Sequence, residues 1–227
     1  MNINFKKIID LTLPIRNGMS TYPGEKISCK PVMFIPRDKH NVLNLNFFTH
    51  TGTHLDAPFH VFEKGATVDK YPLNTFIAKS LKIDLRLYKS ELSKNGSFAY
   101  LKVIEKRHLL KYHKEIAKSD ALILHTGYGE ILKLGEKFID FEFPHLTKEC
   151  AEYIAGFKKL KLLGIDSLTI DKKGNTASHY TLLRKSNFMI LETLINLEKA
   201  PNKFILICFP LNIKNSDGAP CRAVALV

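Results

Sequence analysis

The 227-residue chain has few cysteines, no CxxC pair, no internal repeat and no long apolar run. Its four cysteines are widely separated, so a disulfide framework or a cysteine-bound zinc site has no support. The apolar run 204–209 is far too short to span a bilayer, and residues 1–7 lack the apolar core of a signal peptide. We therefore expect a cytoplasmic protein with no membrane partner.

Several common catalytic motifs are also missing. No GxSxG sequence is present, which leaves a serine hydrolase poorly supported, and no GK[ST] P-loop occurs. Gly127 and Gly129 follow an apolar run as in a dinucleotide-binding loop, but Leu132 occupies the position of the third glycine. These absences direct attention to metal chemistry.

The formal net charge of +12 raises the question of nucleic-acid binding. The lysine-rich segment 103–116 reads as an amphipathic helix with its charges facing solvent, and no basic stripe interleaved with aromatic residues accompanies it. The excess is lysine rather than arginine, as on a solvated surface. We do not expect nucleic acid as a partner.

The patterning predicts one α/β domain spanning residues 1–227, with 45% hydrophobic and 25% charged residues. Strand-like apolar runs alternate with helical patterns, which favours an α/β class with mixed strand directions. The predicted strands are 121–124, 160–165, 188–191 and 204–209, and the predicted helices are 103–117, 147–159 and 176–186. Thr147 is the expected N-cap of the second helix.

The most informative stretch runs from His50 to His60 and reads HTGTHLDAPFH. Residues 41–48 alternate as a strand does, and continuing that period of two through the motif gives two faces. The predicted apolar face carries Leu43, Leu45, Phe47 and Leu55, and the polar face carries Asn44, Asn46, His50, Gly52, His54 and Asp56.

This polar face predicts a metal site. His54 and Asp56 stand two residues apart on one side of a strand, and Gly52 leaves room beside them. Imidazole and carboxylate ligands suit Zn²⁺ or Mn²⁺. Pro58 ends the ladder, which puts His60 on the turn beyond it. The alternative is a solvated strand face with coincidental histidines.

A second feature is Glu192, which lies in the apolar run 190–195. An unpaired carboxylate is unfavourable to bury, so a buried Glu192 requires a partner such as a metal ion. The alternative is a strand-end glutamate that faces water or pairs with a lysine.

The motif resembles the HxGTHxDxPxH signature of the Putative cyclase family of metal-dependent hydrolases, which contains bacterial kynurenine formamidase. Weaker similarities follow in the family's order from residue 10 to residue 225. They are Asp10-Leu11-Thr12, Gly18-Met19, Tyr22-Pro23-Gly24-Glu25, Gly164-Ile165-Asp166-Ser167, His179 with Glu192 and Leu194, and Asp217-Gly218-Ala219-Pro220-Cys221-Arg222-Ala223.

The resemblance implies a swivelling β/β/α-type fold with a mixed sheet and a homodimer or homotetramer. It implies one or two Zn²⁺ ions, with Mn²⁺ in some members. The implied metal ligands are His50, His54, Asp56, His179 and Glu192. His60 resembles the family's catalytic acid/base, with a further metal ligand as the alternative, and Tyr22 is a substrate-stacking candidate that could instead be a turn residue.

The implied activity is hydrolysis of an amide C–N bond, as in the conversion of N-formyl-L-kynurenine to L-kynurenine and formate. Water activated by the metal attacks the carbonyl, and His60 takes up a proton and returns it to the leaving amine. The alternatives are an isatin-type cyclic amide or lactone as substrate, or a non-catalytic metal- or ligand-binding protein. Asp166 and His125 are candidates for hydrogen bonds to the histidine ligands, and Cys221 is expected in the core or at the surface.

Overall fold

The computed structural model describes residues 5–139 and 142–227, so the first four residues of the N-terminal stretch considered above lie outside it. The described strands are β1 Ile8–Asp10, β2 Ser28–Met33, β3 Val42–Asn46, β4 His54–Asp56, β5 Ile77–Asp84, β6 Leu92–Asn95, β7 Phe98–Leu101, β8 Val103–Ile104, β9 Ala121–His125, β10 His145–Leu146, β11 Leu162–Ile165, β12 Met189–Glu192, β13 Lys203–Pro210 and β14 Gly218–Leu226. The helices are α1 His113–Ile116, α2 Gly129–Leu134, α3 Lys148–Ala155 and α4 Ala177–Leu183. None of the described helices is both long and apolar enough to cross a membrane.

Eight strands form one mixed sheet in the order β1-β14-β13-β5-β9-β11-β12-β4. The strands β5, β9, β11 and β12 run parallel, whereas β4, β13 and β14 pair antiparallel with their neighbours. The first residues of β14 also pair with β4, which closes seven strands into a barrel. This mixed sheet confirms the predicted fold class.

The two faces of the barrel strands bury separate apolar clusters. In β9, Ala121 and Ile123 join the cluster inside the barrel, whereas Leu122 and Leu124 join the cluster beneath the helices. Ile154 of α3 and Leu182 of α4 pack in that outer cluster. The alternation follows from the period of two along a strand. Side chains on the outer face of β4 and β12 therefore point toward α4 and not into the barrel.

The predicted strands 121–124, 160–165, 188–191 and 204–209 correspond to β9, β11, β12 and β13. The helices α3 and α4 are also present, and the Thr147 hydroxyl caps α3 by accepting a hydrogen bond from Cys150 N at 3.2 Å.

The prediction of a helix over 103–117 is wrong. Val103–Ile104 instead forms β8, which pairs in parallel with β10. Short 3₁₀ turns follow, and α1 is confined to His113–Ile116. The His108 ring fixes one turn, because its Nδ1 accepts a hydrogen bond from the Glu105 amide at 3.0 Å. Long-range strand pairing has overridden the local amphipathic pattern.

The prediction of one strand running from 41 through the motif is wrong as well. The strand β3 ends at Asn46 and pairs with β2 in a separate hairpin. Leu43 and Leu45 are exposed on this hairpin, although Leu55 is fully buried in the barrel. A turn therefore separates the apolar residues of β3 from those of β4.

Candidate metal centre

The motif begins as a turn and becomes the short strand β4. Gly52 adopts a φ of +65°, a backbone conformation that residues other than glycine rarely adopt, so this glycine forms the turn. The buried Thr53 hydroxyl accepts from Leu13 N at 2.8 Å and donates to Thr193 O at 2.7 Å. Gly52 thus directs the chain into β4, which differs from the predicted role of leaving room for an ion.

Strand pairing brings the second carboxylate to the motif. In the antiparallel register of β4 and β12, His54 lies opposite Glu192, and side chains on directly opposite residues share one face. His54 Nδ1 bonds to Gly52 O at 2.8 Å, which leaves Nε2 free to face the carboxylates. Glu192 Oε1 accepts from the Ile170 amide at 2.8 Å.

Helix α4 supplies the remaining histidine. His179 Nδ1 lies 2.7 Å from Asp171 Oδ2, and the Asp171 carboxylate also accepts from the amides of Ser178 and His179. A carboxylate on one ring nitrogen fixes the tautomer and presents the other nitrogen to a metal ion. The free nitrogen, Nε2, points at Asp56 and Glu192.

Four buried side chains form a closed ring in which each imidazole lies beside both carboxylates. His54 Nε2 is 3.2 Å from Asp56 Oδ1 and 3.5 Å from Glu192 Oε2. His179 Nε2 is 3.3 Å from Asp56 Oδ2 and 3.4 Å from Glu192 Oε1. Ligands about 2.0–2.1 Å from a tetrahedral Zn²⁺ ion are separated by about 3.3 Å, so the spacing of neighbouring atoms suits metal ligands, with His54 and His179 facing different oxygens of each carboxylate.

The hydrogen bonding of Asp56 provides an independent test of this fit. Its Oδ2 atom is buried, meets no donor in good hydrogen-bond geometry, and lies 3.3 Å from His179 Nε2. Leaving a carboxylate oxygen in this state is unfavourable by several kcal/mol unless a cation compensates it. The residues present therefore fit a divalent metal ion.

His50 and His60 lie beside this ring and share a carboxylate that the sequence argument did not assign. His50 Nδ1 is 2.7 Å from Asp56 Oδ1, and its Nε2 is 2.6 Å from Asp217 Oδ2. His60 Nδ1 is 3.3 Å from the same Asp217 oxygen, and the His50 and His60 ring centroids are 4.1 Å apart. The atoms of His50, His54 and Asp56 converge as one ligand group, and those of Asp56, His179 and Glu192 as another.

In this cluster, the neighbouring opposite charges and hydrogen bonds together shift the pKa values further than burial does. Burial lowers the pKa of His50, but the Asp56 and Asp217 carboxylates raise that pKa to about 10. Burial raises the pKa of Asp217, yet hydrogen bonds from His50 and His60 hold it well below its usual value. Burial also lowers the pKa of His179, and its bonds to Asp171 and Asp56 raise it well above the usual value.

A cavity of about 180 Å³ opens onto the ring. Tyr22 and Glu25 line it from a turn in which Glu25 N donates to Tyr22 O at 3.1 Å. Leu168 and Asn175 line another part of the wall. Burial raises the pKa of Glu25, although the charges of His54 and His50 oppose this effect.

Two residues have roles that differ from the predictions. Asp166 accepts hydrogen bonds from the Thr126 and Gly127 amides at 2.8 and 3.0 Å and holds the loop after β9. His125 lies 3.9 Å from Asp166 and 3.8 Å from Asp84. The prediction that they contact the ligating histidines is therefore wrong. Cys221 lies in the core inside the barrel, one of the two expected locations.

The predicted ligands His50, His54, His179 and Glu192 line this cavity together with His60 and Tyr22, and Asp56 contacts three of these histidines, but two polar partners were missed. Asp171 has no recognisable signal, because it precedes His179 by eight residues across a loop. Asp217 belongs to a segment carrying the family resemblance, and it reaches the motif because Ala57 N donates to its carbonyl at 2.9 Å.

The fold and this cluster define a closed mixed barrel with a histidine–carboxylate cluster on its outer face that fits a divalent metal ion. The sequence matches the family described as Putative cyclase over residues 9–172, and the chain belongs to that family. It is 30% identical to the kynurenine formamidase of Bacillus anthracis, with 96% of each chain covered.

Solved structures share the fold. A protein described as a predicted metal-dependent hydrolase from Bacillus stearothermophilus is 26% identical with a TM-score of 0.74, covering 96% of this chain and 97% of that one. Isatin hydrolase A from Labrenzia aggregata is 20% identical with a TM-score of 0.80, covering 97% and 93% respectively, and this likeness concerns the fold alone.

Proposed function

We propose that the protein is a metal-dependent hydrolase that cleaves the amide C–N bond of an aryl formamide, as the name of its kynurenine formamidase relatives indicates for them. The observation that carries this proposal is the ring of two imidazole nitrogens and two carboxylates with the spacing of metal ligands. The cavity beside the ring gives a small substrate access to it.

The proposed metal is Zn²⁺, with Mn²⁺ as the other ion that this donor set accommodates. The proposed ligands are His50, His54, Asp56, His179 and Glu192. Asp56 belongs to both of these ligand groups, so the donors present would hold one ion or two. A bound divalent ion would polarise the substrate carbonyl and increase the acidity of water.

His60 is proposed as the acid/base. Asp217 lies beside its Nδ1 and keeps the proton there, so Nε2 can accept a proton from water and return it to the departing amine. The ring is half-buried and lines the cavity. Tyr22 is proposed to stack on the aryl ring of the substrate, next to the apolar wall formed by Leu168.

The test is hydrolysis of N-formyl-L-kynurenine by the protein as purified, after chelator stripping, and after Zn²⁺ or Mn²⁺ is restored. We expect activity to disappear on stripping and to return with one metal. Bound metal without turnover would contradict the assignment of N-formyl-L-kynurenine as the substrate. Isatin and aryl lactones, assayed in parallel, would then detect the cyclic-substrate alternative. Metal binding with no turnover of any of these would support a non-catalytic binding protein.

The His60→Ala variant tests the acid/base assignment. We expect its rate to fall roughly a hundredfold or more while metal content stays unchanged, because general acid–base catalysis contributes about that factor. The rate comes from the formylkynurenine assay and the metal content from elemental analysis of the same samples. Loss of metal from this variant would make His60 a ligand instead.

We also propose that the protein self-associates through the hairpin β2–β3. This hairpin presents large apolar side chains to solvent, including Leu43, Leu45 and Ile35, each more than half exposed. Contiguous apolar surface of this kind marks protein interfaces. A second copy is the proposed occupant, because a symmetric dimer would pair identical hairpins.

Light scattering after size-exclusion chromatography tests this surface. We expect the unaltered protein to elute as a dimer or tetramer and Leu43→Lys to shift it toward the monomer. Leu73→Lys is the matched control, since Leu73 is 71% exposed and lies outside the hairpin. A monomeric unaltered protein would refute the proposal.

Two further assignments are proposals of the same kind. The eight strands of the main sheet include both the first and the last described strand, β1 and β14, which supports a single working domain over 1–227. Four free cysteines support a cytoplasmic location, where thiols stay reduced.

A further inference from the structure

The cavity wall carries one carboxylate that the metal centre does not use. Glu25 lines the cavity, but the described ligand groups whose atoms converge within 4.8 Å do not include it. Its Oε2 atom is buried and has no hydrogen-bond partner. Glu25 therefore differs from Glu192, whose two oxygens face His54, His179 and the Ile170 amide.

A buried carboxylate oxygen without a donor is unfavourable, and a ligand that brings a donor removes this penalty. The described residues that line the cavity include neither lysine nor arginine. The wall around Glu25 thus offers a carboxylate to a substrate, whereas the histidines that line the cavity belong to the metal centre and the acid/base group. The ring of Tyr22, on the same turn, supplies a face on which a cation or an aryl group can lie.

We propose that Glu25 binds a protonated amine carried by the substrate, so that the site selects aryl amides with a cationic arm. This selection rests on the proposed hydrolase function, since it specifies the substrate of the same cavity. Glu25 acts here as a specificity residue, and the carbonyl chemistry belongs to the metal centre and His60.

Binding tests the selection independently of turnover. Zinc-loaded protein is titrated calorimetrically with kynuramine, an aminophenyl ketone with a primary amine on its side chain, and with 2′-aminopropiophenone, which keeps the ring amino group and lacks only the side-chain amine. We expect kynuramine to bind about 10–100-fold more tightly, as a charge-assisted hydrogen bond provides. In Glu25→Gln this advantage should disappear, whereas Glu115→Gln, an exposed glutamate on α1, should retain it.

Equal affinity of the two compounds for the unaltered protein would overturn the proposal, as would an advantage that survives in Glu25→Gln. Loss of zinc from Glu25→Gln would overturn it too, because Glu25 would then belong to the metal centre. Elemental analysis of every sample separates that outcome from a loss of recognition.

Turnover separates the selection from the hydrolase function. The substrates are N-formylkynuramine, with an ammonium arm, and formanilide, with no arm. We expect Glu25→Gln to lower kcat/KM for N-formylkynuramine about 10–100-fold and to leave formanilide unchanged. An equal fall for both substrates would overturn the selection. If neither substrate is hydrolysed but the kynuramine advantage depends on Glu25, the hydrolase proposal fails and the amine site stands.

Discussion

The hydrogen bond between Asp171 and His179 provides the sharpest test of the proposed metal centre. Asp171 Oδ2 lies 2.7 Å from His179 Nδ1, and the same carboxylate accepts from the amides of Ser178 and His179. Asp171 does not belong to the ligand group that includes His179, so its effect on metal binding must pass through that ring. The informative variant is Asp171→Asn, which preserves size and one carbonyl acceptor but removes the charge.

The expected loss of metal affinity is about 10–100-fold, the usual effect of removing a carboxylate behind a ligating histidine, or about 1.4–2.7 kcal/mol. Folding should weaken less than in Asp171→Ala. The alanine variant loses every acceptor for the Ser178 and His179 amides, a loss worth about 0.5–2 kcal/mol at a helix start.

Zinc affinity is measured by competition with a fluorescent chelator, and folding is followed by urea denaturation of the metal-free protein. Asp120→Asn is the matched control, because Asp120 also accepts a backbone hydrogen bond, from Lys79 N at 3.2 Å, but lies outside the cluster. Unchanged zinc affinity in a folded Asp171→Asn protein would refute the assignment of His179 as a ligand oriented by Asp171. An equal loss in Asp120→Asn would show a general effect of the substitution.

Three further predictions concern packing and charge. Gly218→Ala should destabilise the protein by about 1–3 kcal/mol in urea denaturation, because the new Cβ would lie 2.6 Å from Leu55 O and 2.9 Å from His50 Cε1. Unchanged stability would show that β4 and β14 separate easily. Ile154→Ala should lower the free energy of unfolding by about 2–5 kcal/mol in the same assay, since Ile154 is fully buried on the inner face of α3. Glu152→Ala, at an exposed position of the same helix, should change it little. Burial raises the pKa of Asp84, but its hydrogen bonds to Arg86 bring that pKa below the usual 3.8. The ionised Asp84 carboxylate therefore stabilises the folded protein above pH 3.8, and this stabilisation is lost as pH falls through the lower pKa that Asp84 has in the folded state. Asp84→Asn should therefore melt at a lower temperature than the unaltered protein at pH 7, and a difference that does not shrink toward pH 2 would contradict the reasoning.

The candidate metal centre shows what a local sequence pattern can predict and what it cannot. The relation of His54 to Asp56 was predictable, because two residues apart on a strand share a face wherever the strand lies. The position of His50 relative to these two residues was not predictable, because the prediction assumed one unbroken strand from residue 41 through the motif. Gly52 at φ +65° interrupts that strand, and His50 reaches Asp56 from the turn.

The same contrast applies to the helices. The sequence predicted α3, because its cap and apolar face are local features. It failed over 103–117, where pairing of β8 with β10 joins residues about forty positions apart. Such pairing depends on the closure of the whole fold and leaves no trace in the local period.

Local sequence patterns predicted the candidate metal ligands, the shared face of His54 and Asp56, and the positions of β9, β11 and β12. Tertiary structure alone decided that Glu192 stands opposite His54, that Asp171 orients His179, and that Asp217 lies between His50 and His60. Antiparallel pairing of β4 with β12 and β14 brings Glu192 and Asp217 to the motif, whereas Asp171 reaches His179 across the loop before α4. Local spacing fixes the direction of a side chain, whereas its partner across the fold is fixed by strand register.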